Sequence, residues 1–148
     1  MKCPRDGTAL AKIELLAVEL DKCHKCDGIW LDQIEFEQLR DAKVENIEEA
    51  FDRKYGHPPY EEGTVDAHMR CPRCGDERLL PFHYTLFDPV TVDRCQRCFG
   101  VWLDRGELDA IIAEKTQLER EARTGNAGTL RQMMNRLTKR IRQPNSPI

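Results

Sequence analysis

Apolar and polar residues alternate with period two over two short stretches of the chain. The first holds Ile13, Leu15, Val18 and Leu20, and the second Leu86, Val90 and Val92. Alternation of this kind across a short turn predicts a β-hairpin in each place. In the second stretch Phe87, Asp88 and Pro89 form the predicted turn, because proline presets one turn dihedral and cannot donate into a ladder. Beyond each hairpin the period becomes helical. Phe36, Leu39, Lys43, Ile47 and Phe51 recur at helical spacing, and Leu108, Ile111, Ile112, Leu118 and Ala122 do so less regularly. Asp32 with Glu35, and Asp104 with Glu107, set a capping carboxylate and a glutamate three residues apart at the head of each run. These signals predict helices over 32–54 and 104–123.

Breakers divide the chain around those elements. Gly56, His57, Pro58 and Pro59 end the first helix and open a linker that leaves the two halves free to move relative to each other. Thr124 to Gly128 break the second helix. After them Leu130, Met133, Met134, Leu137 and Ile141 fall on one helical face, with basic residues on the other, and Pro144 and Pro147 close a loose tail. The expected organisation is a module over 1–55, a linker over 56–69, a second module over 70–123, and a basic amphipathic helix with its tail over 124–148.

The two modules are copies. Residues 71–104 run from CPRCG to CQRCFGVWLD, and residues 3–32 from CPRDG to CHKCDGIWLD. Sixteen residues separate Asp6 from Cys23 and twenty separate Cys74 from Cys95. The extra four, two per arm, lengthen a hairpin without reversing which side chains face inward. Each copy alone is too small to bury a self-sufficient core, so something besides apolar burial must hold it.

The cysteines supply that hold. Seven are present, Cys3, Cys23, Cys26, Cys71, Cys74, Cys95 and Cys98, and an odd number suits a pure disulfide framework poorly. Paired CxxC knuckles brought together across a hairpin suit tetrahedral Zn2+ instead. In the second copy the ligands are Cys71, Cys74, Cys95 and Cys98, with Gly75 and Gly100 supplying tight backbone at the knuckles. Four-thiolate iron would use the same ligand set. Redox chemistry fits less well, because each CxxC is matched by a second. Four ligands fill the coordination sphere, which makes such a metal structural. In the first copy Asp6 stands where Cys74 stands in the second. Its carboxylate is the first choice for a fourth ligand beside Cys3, Cys23 and Cys26, ahead of water or a histidine. His24 should point outward between two ligands, and His57 or His68 would require the linker to fold back. Two ions per chain are expected.

Charge adds a further asymmetry. Residues 1–70 carry ten Lys and Arg against sixteen Asp and Glu, a net −6, whereas residues 71–148 carry thirteen against ten, a net +3. From Ala122 onward there is no acid. A chain with a net charge of −3 is no general coat for nucleic acid, yet its basic end could contact an acidic partner. The N-terminus lacks the apolar core of a signal peptide and no apolar run is long enough to span a membrane, so a cytoplasmic location with reduced thiols is expected.

The segments CPRC, CQRCFGVWLDRGELDAI, CPRDGTAL and CHKCDGIWLDQIEFEQL resemble the transcription factor IIB-type zinc-finger family of small, mostly prokaryotic proteins. The second copy follows that pattern throughout. The first departs from it at Asp6, and at Ile34 and Phe36, where Gly and Leu are expected. The resemblance covers about half the chain and implies two tandem zinc-ribbon modules, a small metal-stabilised α+β fold of knuckle, β-hairpin, knuckle and helix. It also implies a role in transcription, which fold likeness alone does not establish.

Three functions follow as expectations. A non-catalytic zinc protein in transcription or on nucleic acid draws support from Arg70, Arg73, Arg94 and Arg97 around the second knuckles and from the basic face of 131–142. A protein-interaction adaptor, docking or self-associating through residues 130–141, draws support from the Met-bearing stripe. Membrane-surface binding is weaker, since that helix has no aromatic anchor. No Ser-His-Asp set, phosphate loop or open metal site with an adjacent base can be assembled, so no enzyme is expected. His83 and Tyr84 have no nucleophile or base to pair with. Trp30 and Trp102 are expected to pack each hairpin against its helix start near the metal.

Overall fold

The computed structural model describes residues 1–42, 44, 46–56, 69–85 and 89–124. Lys43, Glu45, the expected linker residues 57–68, Leu86, Phe87 and Asp88 of the expected second turn, and the expected basic helix and tail beyond residue 124 lie outside the described residues. The element order is β1 (Ala11–Leu15), β2 (Val18–Lys22), β3 (Ile29–Leu31), α1 (Gln33–Asp41), α2 (Ile47–Tyr55), β4 (Leu79–His83), β5 (Thr91–Cys95), β6 (Val101–Leu103) and α3 (Glu107–Thr124).

The first hairpin forms where the alternation places it, and in the second Val92 lies in a strand whereas Leu86 falls outside the described residues. β1 and β2 pair with Leu15 opposite Val18, which leaves a two-residue loop of Leu16 and Ala17. Both loop residues have positive φ, 53° and 63°, the twist that a tight hairpin demands and that glycine or asparagine would meet with less strain. In the second hairpin β4 pairs with β5 from Leu79 opposite Cys95 to His83 opposite Thr91.

A third strand in each half was not legible from the pattern. Ile29–Leu31 and Val101–Leu103 each pair with their own hairpin and, antiparallel, with each other, giving one six-stranded sheet ordered β1-β2-β3-β6-β5-β4. The expectation of two modules free to move therefore fails at β3 and β6, where Ile29, Trp30 and Leu31 lie opposite Leu103, Trp102 and Val101. A pseudo-two-fold axis passes through the Trp30–Trp102 pair.

Strand periodicity gives the sheet two apolar faces. Leu20, Ile29, Leu31, Val92, Val101 and Leu103 face the helices and join Phe36, Leu39, Ile47, Phe51, Leu108 and Ile111 in one core. Trp30, Trp102 and the cysteines cluster together in a second. Every core side chain of β3 and β6 is buried, as strands covered on both faces require.

The helix predicted over 32–54 is two helices. Its first part begins as expected, with the Asp32 carboxylate accepting from the Glu35 amide and Glu35 reaching back to the Asp32 amide. The chain then turns at Ala42, which is extended, and re-enters a helix after Asn46, whose φ of 59° is left-handed. No glycine or proline marks this break. Its cause is tertiary: Asp109 of α3 caps α2 through the amides of Ile47 and Glu48, at 2.7 and 3.2 Å. The turn brings Phe51 back over the first hairpin, where the Lys22 ammonium lies 5.4 Å from its ring centre. α3 is one uninterrupted helix, with Leu108, Ile111 and Ile112 buried. Its cap differs from the predicted box. Glu107 does bond the Asp104 amide, but the Asp104 carboxylate is taken by Arg5 and by Trp102 Nε1. No helix among the described residues is long and apolar enough to cross a membrane.

Candidate metal centres

Each knuckle is a tight turn closed by backbone hydrogen bonds. The amide of Gly7 bonds the carbonyl of Cys3 and that of Gly75 bonds Cys71, at 2.9 and 2.8 Å, and both glycines have positive φ. In the second knuckles the amides of Asp27 and Phe99 play that part, bonding Cys23 and Cys95. The left-handed residues are therefore Asp27 and Phe99, at φ 64° and 58°, and not Gly100 as the sequence suggested.

These turns gather four donors in each half. Cys71, Cys74, Cys95 and Cys98 form one group and Cys3, Asp6, Cys23 and Cys26 the other, each with its donor atoms within 4.8 Å of one another. Sγ of Cys71 lies 3.6 Å from that of Cys98, Cys95 lies 3.9 Å from Cys74, and Cys3 lies 3.6 Å from Cys26. A disulfide needs about 2.05 Å, and all seven cysteines are free. A tetrahedral ion with Zn–S bonds of about 2.3 Å holds its sulfurs roughly 3.8 Å apart. Oδ2 of Asp6 stands 3.5 Å from Sγ of Cys23. That equals the edge expected for one sulfur and one carboxylate oxygen on zinc, about 3.5 Å from the usual bond lengths.

The surroundings orient these donors. The Thr8 amide donates to the other Asp6 oxygen, Oδ1, at 2.8 Å, fixing the carboxylate with Oδ2 toward the thiols. Although burial opposes it, that bonding at Thr8 holds the Asp6 carboxyl below its ordinary range. Amides of Lys25 and Cys74 point at the sulfurs of Cys23 and Cys71, at 3.4 and 3.3 Å. The thiols themselves resist ionising together without a cation. The contact with Cys26, and then burial, push Cys3 far up, burial pushes Cys23 and Cys71 up, and a hydrogen bond from Cys3 lets Cys26 fall to about 7. A bound dication reverses that cost by neutralising the thiolates, and its binding energy becomes folding energy.

A model of the transcription factor zinc-finger family, a zinc ribbon of the transcription factor IIB type, matches residues 2–42 and 70–114, more than half of the chain. The chain belongs to that family. The two matched segments are the two copies, and the two donor clusters are its two zinc sites. No curated protein and no solved structure matches the chain.

The remaining candidates separate clearly. His24 is exposed, as its place between two ligands implies, whereas His57 and His68 lie outside the described residues. His83 bonds Thr91 at 2.9 Å across the second hairpin. Met69, which sequence reasoning passed over, is buried among the cysteines and tryptophans.

The tryptophans lie near the knuckle cysteines as expected, and Trp102 Nε1 bonds Asp104 at the head of its own helix, but both also reach across to the other copy. A Cβ on Gly28 would lie 2.2 Å from Cζ2 of Trp102, and one on Gly100 would lie 2.4 Å from Cζ2 of Trp30. Each indole therefore covers the glycine of the opposite half. The GxWLD motif encodes the seam between the zinc sites, and only the duplication in the sequence could have hinted at it.

Charged side chains tie the same seam. Arg5 beside the first knuckle forks onto Asp104, and Arg105 reaches Asp27 at 3.1 Å and Asp52 at 3.2 Å. Asp27 is buried and also holds Lys22, so the cluster is mutually compensated.

Proposed function

We propose that this chain is a non-catalytic zinc-ribbon protein of the transcription machinery that touches nucleic acid weakly, through its second half. The observation that carries this reading is the closure of both clusters. Each offers four donors to one ion, so a tetrahedral metal there leaves no position for substrate. The buried charges nearest the first site, Lys22 and Asp27, are committed to each other and to Arg105.

The family to which the chain belongs supports a place in transcription. Support for the nucleic-acid contact comes from comparing the two halves. Near the first site Arg5 and Lys22 are held by Asp104 and Asp27, whereas near the second Arg70, Arg73 and Arg97 are exposed. Arg97 meets Asp76 and Glu77 at 2.8 and 2.9 Å, which reduces the local field and keeps the contact weak. Fluorescence anisotropy with labelled duplex DNA and single-stranded RNA should show binding at low salt that fades steeply toward physiological salt, with a slope of roughly two or three phosphates. Absence of any binding at low salt would refute the direct contact.

An interaction adaptor is the second reading, favoured by the exposed Leu80, Phe82 and Phe99 on the second half. It predicts a flat anisotropy titration with both nucleic acids.

A further inference from the structure

α2 has no counterpart among the described residues of the second half. In the first half it lies across the hairpin. Ile47 and Phe51 are 0% and 2% exposed, Tyr55 bonds both backbone groups of Glu14, and Glu48 and Asp52 meet Arg105. The strand registers identify what occupies the equivalent place. Ala11 lies opposite Lys22 as Leu80 lies opposite Arg94, and Ile13 opposite Leu20 as Phe82 opposite Val92. Asp27 and Phe99 are the two left-handed residues that follow the last knuckle cysteines.

That second surface is open and more apolar than the first. Leu80, Phe82 and Phe99 are 45%, 40% and 45% exposed, and the Arg94 guanidinium lies over both rings at 5.3 and 5.0 Å. Ile34, the counterpart of Gly106, is 67% exposed. Gln33 replaces Arg105 and Glu37 replaces Asp109. The first surface presents a cation to an acidic helix. The second presents apolar side chains with the Arg94 guanidinium over two of them, which call for a helix with a broad aliphatic face.

We propose that residues 130–142 of the same chain dock on this surface, as α2 docks on its counterpart. They lie outside the described residues, and three observations select them. They follow α3 as α2 follows α1. Their pairs Leu130/Met134 and Met133/Leu137 repeat the i, i+4 spacing of Ile47/Phe51. The chain also reaches. α3 continues eleven residues past Ala113, the counterpart of the α1 end, or about 16 Å. Residues 125–129, extended, span up to about 17 Å, enough to return. The proposal stands whether or not the basic residues of the segment meet nucleic acid.

Photocross-linking of the full, zinc-loaded chain with p-benzoylphenylalanine at position 134 tests this. The expected product is a monomer linked internally to Leu80, Phe82 or Phe99. Its yield should fall by about tenfold with Phe82→Glu, as loss of one apolar anchor implies. Because Phe82 is half exposed, that variant should keep its zinc and its circular dichroism. A link elsewhere in the chain, a dimer band that grows with concentration, or no link at all would overturn the proposal.

Discussion

Adding one methyl group at Gly28 or Gly100 should damage this protein more than its small size suggests. The new Cβ would stand 2.2 Å from the Trp102 indole or 2.4 Å from that of Trp30, against an ordinary contact that begins near 3.4 Å. The ring must move by about 1 Å, yet Trp102 and Trp30 are 0% and 1% exposed and lie opposite each other in the sheet. Overpacking of this kind should cost each of Gly28→Ala and Gly100→Ala about 3 kcal/mol. Gly7→Ala is the control. Its φ is +74° with nothing within 4 Å, so only the left-handed backbone is strained, at about 1 kcal/mol. Urea unfolding at fixed free zinc measures all three, since metal binding is linked to folding. Double-mutant cycles then assign the partner. Gly28→Ala should couple to Trp102→Leu by about 1–3 kcal/mol and much less to Trp30→Leu. If both alanine variants cost no more than Gly7→Ala, or if coupling stays within one half, the reciprocal seam is wrong.

Four further outcomes follow. Asp6→Cys should tighten the first zinc site against a chelator competition series, because a thiolate replaces a harder oxygen at the same position; equal or faster metal loss would contradict its ligation. Burial, with Asp104 and Asp93 nearby, raises Glu107 to about 8. The folded state therefore holds that proton more tightly than the unfolded state. Stability from this group is full below about pH 4.5 and declines as pH rises toward 8, so Glu107→Gln should flatten the pH 6–8 stability profile in zinc buffer. Asp109→Ala should loosen α2 from a distance, costing about 1–2 kcal/mol and raising amide exchange at Ile47 and Glu48 first. Replacing Leu16-Ala17 by Asn-Gly should stabilise the first hairpin by about 1 kcal/mol on thermal denaturation, because both positions are already left-handed.

What the sequence revealed depended on how local its cause was. The knuckles, the hairpins and the Asp32 capping box are each written within a few residues, and the donor clusters followed from CxxC spacing and from the alignment of Asp6 with Cys74. The break before α2 was not legible, since Ala42 to Asn46 contain no breaker and the cap is Asp109, more than sixty residues away. β3 and β6 were hidden for a related reason. Three residues buried on both faces show no alternation, and GIWL and GVWL read equally well as the lead into a helix. Gly100 shows the same limit. The sequence marked it as special, but whether for a turn or for a close approach could be decided only by Trp30 arriving from the other half.

Two zinc ions, one of them held by Asp6, are expected to sit in a single folded sheet. Native mass spectrometry of the full chain, with elemental analysis of the same sample, tests it most directly. The expected result is two zinc ions per chain, lost on chelation together with the folded charge-state distribution. One ion per chain, or a chain that stays folded with none, would contradict it.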